Sequence, residues 1–146
     1  MSFLDAQNLF DRAAVITVTR NSTNAIDLTK TGQDIGNGEP LWIEVVVSTA
    51  FTAGGSATLQ IALVTDDNES LTTPTVLQDE VAVIAVASLI AGYSIQKRIQ
   101  PSAVMERYLG LVYTVATGPM TAGAITAGIL KDVQRWKAYP SNFVSA

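Results

Sequence analysis

Apolar and polar residues alternate along much of this chain. In the segment 57–63, apolar residues such as Leu59 and Ile61 fall on one parity, and the segments 41–47 and 109–115 repeat the pattern. Since successive side chains of a strand point to opposite faces, a period of two predicts half-buried β-strands. Val, Ile and Thr are frequent in these segments, and their branched side chains fit a pleated surface.

Glycine, proline and short polar runs separate the alternating segments and predict turns between them. They divide the chain into eight or nine short strands, predicted at 14–20, 25–29, 41–49, 57–65, 75–77, 81–86, 92–99, 107–116 and 122–131. Many short strands in 146 residues predict an all-β protein, a sandwich or a closed barrel of antiparallel strands. The strand number matches a jelly roll, and an immunoglobulin-like sandwich fits the spacing nearly as well.

One charged residue interrupts an otherwise apolar face. In the segment 92–99, Lys97 shares its parity with Ile95 and Ile99. A lysine on the inward face is expected on an edge strand, or where a bulge shifts the register. The pattern therefore predicts one of these two features for this strand.

The two ends of the chain do not follow the alternation. We therefore divide the chain into an N-terminal arm (1–12), a β-sandwich (13–131) and a C-terminal arm (132–146). Aromatic side chains in the arms need burial, either on the chain's own sandwich or on a neighbouring subunit, where Trp, Tyr and Arg are favoured anchors. The candidate residues for a contact with a neighbouring subunit are Phe3, Leu4, Phe10, Trp136, Tyr139 and Phe143.

Composition removes several kinds of chemistry. The chain has no cysteine and no histidine, which excludes disulfides, zinc–thiolate sites and histidine-based catalysis. Nine Lys and Arg against thirteen Asp and Glu give a net charge of −4, so no basic stripe for direct nucleic-acid binding is expected. Neither a phosphate-binding glycine loop nor a Gly-x-Ser-x-Gly turn is present. We predict that the protein is not an enzyme and has no cofactor.

The densest acidic segment is Asp66–Glu69. Carboxylate and amide oxygens of such a loop are ligands for hard cations such as Ca²⁺. However, the segment lacks the ligand spacing of a calcium-binding hand, and no second carboxylate group can be assigned to it from the sequence. We therefore predict a solvated turn and no metal site.

Three stretches, 45–65, 81–96 and 108–130, carry no charge. The last is long enough for a membrane helix. It contains several glycines and threonines, however, and its apolar residues alternate, so we predict strands and no contact with a membrane. The first residues show no basic region followed by an apolar block, so we expect synthesis and folding in a cytoplasm.

Several segments, taken in order, resemble one protein family. The first of them are 34–41, with the sequence DIGxGEPL before a strand, then 51–53 (FTA) and 57–60 (ATLQ). The others are 65–68 (TDDN), 70–76 (SLTTPTV), 106–109 (ERYL), 113–119 (YTVATGP) and 121–123 (TAG). Their order and spacing resemble the capsid cement (decoration) proteins of tailed bacteriophages, of the type found on a Bordetella podovirus. The likeness covers residues 8–140.

This resemblance implies a jelly-roll protein that is not an enzyme. It implies binding to the outer capsid surface of a virion, an icosahedral shell built from major capsid proteins of the HK97-like fold. The protein would be made in the cytoplasm of the bacterial host and act as a homodimer or homotrimer that clamps neighbouring capsid subunits. The family has no catalytic residues to transfer to this sequence.

An alternative function is a carbohydrate- or receptor-binding β-sandwich on a virion. Such modules present exposed aromatic side chains on a sheet face or loop. Trp42 and Tyr108 lie on the outward parity of their strands and are the candidates for this role.

Overall fold

A computed structural model describes residues 8–28, 41–100 and 105–130, with residues 78–82 described for their backbone alone. This part of the chain is nearly all β. Its strands, in chain order, are β1 (Leu9–Val15), β2 (Arg20–Asn21), β3 (Ile26–Asp27), β4 (Trp42–Ala53), β5 (Thr58–Asp66), β6 (Thr75–Ala85), β7 (Ser94–Arg98), β8 (Tyr108–Ala116) and β9 (Met120–Leu130). One turn of 3₁₀ helix, Val86–Ser88, follows β6.

The strands form two antiparallel sheets. The first has the order β1-β9-β4-β7, and the second has the order β2-β8-β5-β6, with β3 also pairing with β8. Because β2 and β3 pair with the same strand, they act as one interrupted strand. Consecutive strands then alternate between the two sheets, except that β5 and β6 are neighbours in the second sheet, and this is the nested order of a double Greek key. The predicted all-β sandwich is confirmed, and its strand order is that of a jelly roll.

The core lies between the inner faces of the two sheets. Leu59, Ile61 and Leu63 of β5 and Leu109 and Leu111 of β8 have no exposed surface. These residues fall on the parity that the sequence predicts to point inward. Burying one such side chain contributes roughly 1.5–3 kcal/mol, so the core is the main source of stability.

The first strand lies earlier than predicted. β1 covers Leu9–Val15, not 14–20, and residues 16–19 connect it to β2. The register with β9 shifts between Asp11 and Ala14, where Ala13 has a positive φ of 48°. This bulge breaks the period of two, which hides the strand from pattern analysis.

The proposed boundary between arm and sandwich falls within β1, because residues 9–12 of the N-terminal arm belong to this strand. Asn8 is also described, but the other arm residues, 1–7 and 132–146, lie outside the described residues. Leu9 pairs with Gly128 across β1 and β9, so the described chain enters and leaves the sandwich at one end.

The strands 75–77 and 81–86 of the prediction are one continuous strand, β6, whose register with β5 shifts near Leu63. For the strand that contains Lys97, the sequence predicts either an edge position or a bulge, and the structure shows the edge position. Within the described residues β7 pairs only with β4, so it is an edge strand. Lys97 lies opposite the buried Ile43 and is itself only half-buried, as expected for an inward-facing lysine at a sheet edge.

The uncharged stretches of the sequence lie in strands and their connections. Among the described residues, no helix has the length and apolar character needed to span a membrane.

Candidate binding surface

Four connections between strands meet at one end of the sandwich. They are 16–19, 54–57, 86–93 and 117–119. The N–H of Met120 donates to the Thr17 carbonyl at 3.0 Å, and the N–H of Val86 donates to the Ala57 carbonyl at 2.9 Å. A Cβ added to Gly118 would lie 3.3 Å from the Cβ of Ala57. These contacts make the four connections one continuous surface.

None of these four connections contains Asp, Glu, Lys or Arg, although together they hold 19 residues. We call this surface the charge-free end. The adjoining strand segments 13–15, 48–53, 58–60, 83–85 and 120–124 are also uncharged. The opposite end of the sandwich is different, because its described connections, 67–74 and 105–107, contain Asp67, Glu69, Glu106 and Arg107.

Large apolar side chains are exposed at the charge-free end. Six such side chains are exposed among the described residues. Three of them lie in the four connections, Val18 (57% exposed), Ile90 (61%) and Tyr93 (37%), and two lie in the adjoining strand segments, Val15 (59%) and Val83 (57%). A grouped set of exposed apolar residues marks a protein contact surface more often than scattered single ones do. Loss of charge is also what distinguishes the centre of an interface from the remaining surface. The charge-free end is therefore the candidate binding surface.

The opposite, charged end contains the acidic segment that the sequence singled out. Carboxylate oxygens of Asp66, Asp67 and Glu106 lie within 4.8 Å of one another. Glu106 was missed by sequence analysis, and it comes close because β8 pairs with β5, with Tyr108 opposite Asp66. No residue spacing in the sequence indicates that Glu106 lies close to Asp66 and Asp67.

The predicted solvated turn is only partly correct, because Asp67, Asn68 and Glu69 are exposed but Asp66 is buried. Asp66 accepts hydrogen bonds from the N–H groups of Asn68 (3.1 Å) and Thr73 (2.8 Å). Desolvation raises the pKa of Asp66, but the hydrogen bonds from Thr73, Asn68 and Asp67 together outweigh it and hold the pKa below its ordinary value. The Asp66 carboxylate therefore fixes the shape of its own loop.

This acidic loop is anchored on the outer face of the second sheet. Leu71 is buried with a positive φ of 50° and packs over Gly110, where any Cβ would overlap its side chain. The side-chain amide of Asn21 donates to the Leu71 carbonyl at 3.0 Å. The absence of a side chain at position 110 therefore makes the room in which the loop docks.

Next to this loop, Arg107 forms a two-pronged contact with Asp27. Its Nε and Nη2 atoms donate to the two carboxylate oxygens at 3.0 and 3.1 Å. Hydrogen bonding to Asp27 and its negative charge raise the pKa of Arg107. The guanidinium also lies 5.1 Å from the centre of the Tyr108 ring, so part of this ring is covered.

A buried polar cluster joins the two sheets. Asp11 of β1 has no exposed surface, and it accepts hydrogen bonds from Arg20, Thr23 and Tyr113. The Arg20 guanidinium and the Asp11 carboxylate also form an ion pair at 3.0 Å. Because every donor of the cluster comes from the second sheet or its connections, Asp11 holds β1 against that sheet. Its role is structural, and it opens to no binding surface.

The buried cluster changes the pKa of the Tyr113 hydroxyl. Burial first, and then the charge and hydrogen bond of Asp11, raise the pKa of Tyr113 well above its ordinary value. The neutral hydroxyl is therefore the form that the fold requires.

Of the residues predicted to contact a capsid or another subunit, Phe10 needs correction. It lies in β1 with no exposed surface and belongs to the core. Its position next to Asp11 at the bulge turns it inward. The other candidates, Phe3, Leu4, Trp136, Tyr139 and Phe143, lie outside the described residues.

The aromatic residues that would support carbohydrate binding are half-buried. Trp42 lies at the start of β4, between Arg98 and Leu130 on the neighbouring strands. Tyr108 lies under Arg107. Both residues point outward as predicted, but neither is among the exposed large apolar side chains.

The fold and this surface together define an antiparallel β-sandwich of jelly-roll order whose candidate site is a protein contact surface. Comparison with known proteins narrows this class. The Bbp16 family model matches residues 10–129, more than four-fifths of the chain. The chain therefore belongs to the Bbp16 family, a family of Bordetella phage proteins, which is compatible with a structural role in the virion. No curated protein matches the sequence.

The family match spans β1 to β9 and leaves nearly all of both predicted arms outside it. The shared part of the family is therefore the sandwich, including the charge-free end.

Proposed function

We propose that this protein is a capsid cement protein. It binds the outer surface of a phage icosahedral shell and stabilises contacts between major capsid proteins of the HK97-like fold. It performs no catalysis and needs no cofactor. Its site of action is the outer capsid surface of the virion, after synthesis in the bacterial cytoplasm.

One observation carries this proposal beyond the family membership. The sandwich has two different ends: the charge-free end, which is the candidate binding surface, and the charged end, at which the described chain enters and leaves. Leu9 pairs with Gly128 there, and Leu130 lies opposite Trp42. A protein that bridges others needs two separate contact regions, and we assign one to each end.

We assign the shell contact to the two arms, which are joined to the sandwich at the charged end. The candidate residues are Phe3, Leu4, Trp136, Tyr139 and Phe143. Aromatic anchors of this kind dominate the binding energy of many interfaces. Each copy need not bind tightly, because many copies on one shell increase the overall strength of attachment through their effective concentration.

Sedimentation with shells that lack the protein tests this function directly. We expect saturable binding at a fixed ratio to the capsid subunit and a higher temperature of shell disruption. We expect Trp136→Ala and Tyr139→Ala to weaken binding, whereas the control Val76→Ala, at an exposed valine of the sandwich, leaves it unchanged. A folded wild-type protein that does not sediment with shells would contradict the function. Equal binding by all variants would contradict the role of the arms.

Carbohydrate binding has less support, because Trp42 and Tyr108 are both half-buried. Tryptophan fluorescence in the presence of bacterial surface glycans separates the two functions. A saturable, sugar-dependent shift that is lost in Trp42→Ala would favour the carbohydrate-binding module.

A further inference from the structure

We propose that one half of the sandwich is inserted into a recess between neighbouring capsid subunits, and that uncharged, mainly apolar residues line this recess. The half in question is the charge-free end together with its adjoining strand segments, 39 residues that include no Asp, Glu, Lys or Arg. We call it the charge-free half. This inference rests on the proposed cement function and specifies how the sandwich meets the shell.

The charge-free half covers three sides of the sandwich, and 30 of its residues are at least partly exposed. Val18 lies at the end itself. Thr52 and Ala122 pair across β4 and β9 and are both exposed on the outer face of the first sheet. Val83 of β6, opposite Gln60, is 57% exposed on the outer face of the second sheet. Because the two outer faces point in opposite directions, one flat contact cannot cover both. A surface that is covered on three sides must be inserted between its partners.

The polar groups of this half are suited to losing their water. The hydroxyls of Thr52 and Thr121 share a hydrogen bond of 2.7 Å, and those of Ser48 and Thr126 share one of 2.9 Å. The Thr121 hydroxyl also bonds to the Thr52 carbonyl at 3.0 Å. A hydroxyl that already has a partner within the protein loses less on burial than an unpaired one, and a charged group would lose far more. The outer face of the first sheet can therefore be covered at little cost.

The chemistry of this half defines the partner surface that fits it. Because it offers no ion pair, a charged partner surface would lose its hydration here without compensation. Val18 and Ile90 are both more than half exposed at the end, so the deepest part of the recess should be apolar. Interfaces lack charge mainly at their centre. Here the end and the adjoining parts of both outer faces lack it, as expected for a part of the molecule that its partner surrounds.

Two observations favour the shell over a second copy as the occupant. A two-fold contact with a second copy covers one side of the sandwich and leaves the others bare. In addition, the Bbp16 family model matches residues 10–129, which contain the whole charge-free half but almost none of the two arms. Under the proposed function, attachment to a shell is a property of this family, so a contact with the shell is expected in the part that the family shares.

Cysteine labelling tests the insertion, because the chain has no cysteine of its own. Val18→Cys, Val83→Cys and Ala122→Cys place one thiol on each of the three sides. Val76→Cys, at a valine that is 48% exposed near the charged end, is the control. A water-soluble maleimide should modify all four variants of the free protein, as measured by the mass of this chain. After binding to shells that lack the protein, the first three should lose most of their reactivity, and Val76→Cys should keep it.

Binding affinity provides a second measurement. Val83→Asp and Ala122→Asp should each weaken binding to shells by about tenfold or more, because each places a carboxylate where it loses water without gaining a partner. Val76→Asp is the matched control and should bind like the wild type. Because all three positions are exposed, circular dichroism should show that these variants are folded.

Each other outcome overturns the inference. Protection of Val18→Cys alone would show a flat contact at the end of the sandwich. Full reactivity of every variant on shells would assign the binding to the arms and reject the insertion while leaving the cement function intact. Protection of Val83→Cys and Ala122→Cys already in the free protein would assign the charge-free half to contacts between copies. A folded wild type that does not sediment with shells would instead reject the cement function itself.

Discussion

The hydroxyl of Tyr113 in β8 donates a hydrogen bond of 2.6 Å to the carboxylate of Asp11 in β1, and this contact crosses from one sheet of the sandwich to the other. The second carboxylate oxygen accepts from the Thr23 N–H at 3.0 Å, the Thr23 hydroxyl at 2.6 Å and the Arg20 guanidinium at 3.0 Å. A buried carboxylate with this many donors is well satisfied, so the cluster stabilises the fold as long as all its members are present.

We expect Tyr113→Phe to destabilise the protein by roughly 1.5–3 kcal/mol, because it removes one donor from a buried charged acceptor while keeping the ring. Urea denaturation measures the free energy of unfolding. Tyr93→Phe is the control, since Tyr93 is exposed, and it should change this free energy by less than about 0.5 kcal/mol. Equal values for the two variants would show that the Asp11 contact does not contribute.

The raised pKa of the Tyr113 hydroxyl predicts that the folded protein loses stability at high pH. Because the pKa of Tyr113 is raised in the folded protein, the folded state binds this proton more tightly than the unfolded chain does. Its contribution should be complete below the ordinary tyrosine pKa of about 10 and should decrease as the pH rises through the raised pKa. The free energy of unfolding, measured against pH, should fall less steeply above pH 10 in Tyr113→Phe than in the wild type. Parallel curves would contradict this origin.

A substitution at Phe10 tests whether this residue belongs to the core or to the N-terminal arm. Phe10→Ala should cost about 3–5 kcal/mol of stability, because it leaves a cavity between the sheets at a side chain with no exposed surface. Thermal unfolding measures the effect. Leu4→Ala is the comparison, and under the arm assignment it should leave the unfolding temperature unchanged. A small effect of Phe10→Ala would instead place Phe10 outside the core.

The docking of the acidic loop on the second sheet depends on Gly110. Gly110→Ala should displace Leu71 and destabilise the protein by roughly 1–3 kcal/mol through overpacking. Hydrogen exchange of the Thr73 N–H, which donates to Asp66, should become faster. Gly55→Ala is the control, since a Cβ there meets nothing within 4 Å and should leave both measurements unchanged. Unaltered exchange in Gly110→Ala would contradict the anchoring role.

The class of fold could be predicted from the sequence because its signal is local. The alternation in β5 and β8 follows from the pleat of each strand, so the inward positions of Leu59 and Leu111 were visible without knowledge of their partners. The same holds for Lys97, whose place on an apolar face indicated an edge strand or a bulge, of which the structure shows the edge strand. The bulge at Ala13 is also local, but it breaks the alternation, and β1 was therefore predicted in the wrong place.

The polar cluster and the acidic group could not be predicted in this way. Asp11 and Tyr113 are 102 residues apart in sequence, and only the facing of the two sheets brings them together. Glu106 reaches Asp66 because β8 pairs with β5. Alternation identifies which side of a strand is buried, but the partner across a sheet or between sheets depends on the packing of the whole chain.

The sequence by itself determined the all-β class, the inward faces of the long strands and the three uncharged stretches. Only the tertiary structure decided that one connection from each of these stretches lies at the same end of the sandwich, together with the connection 16–19. It also decided that the acidic loop lies at the opposite end. The physical reason is that charge content belongs to the sequence, whereas its distribution over a surface follows from strand order. Because the strands are antiparallel, alternate connections lie at opposite ends, and the jelly-roll order decides which connections at each end are neighbours. This separates the charge-free end from the charged one.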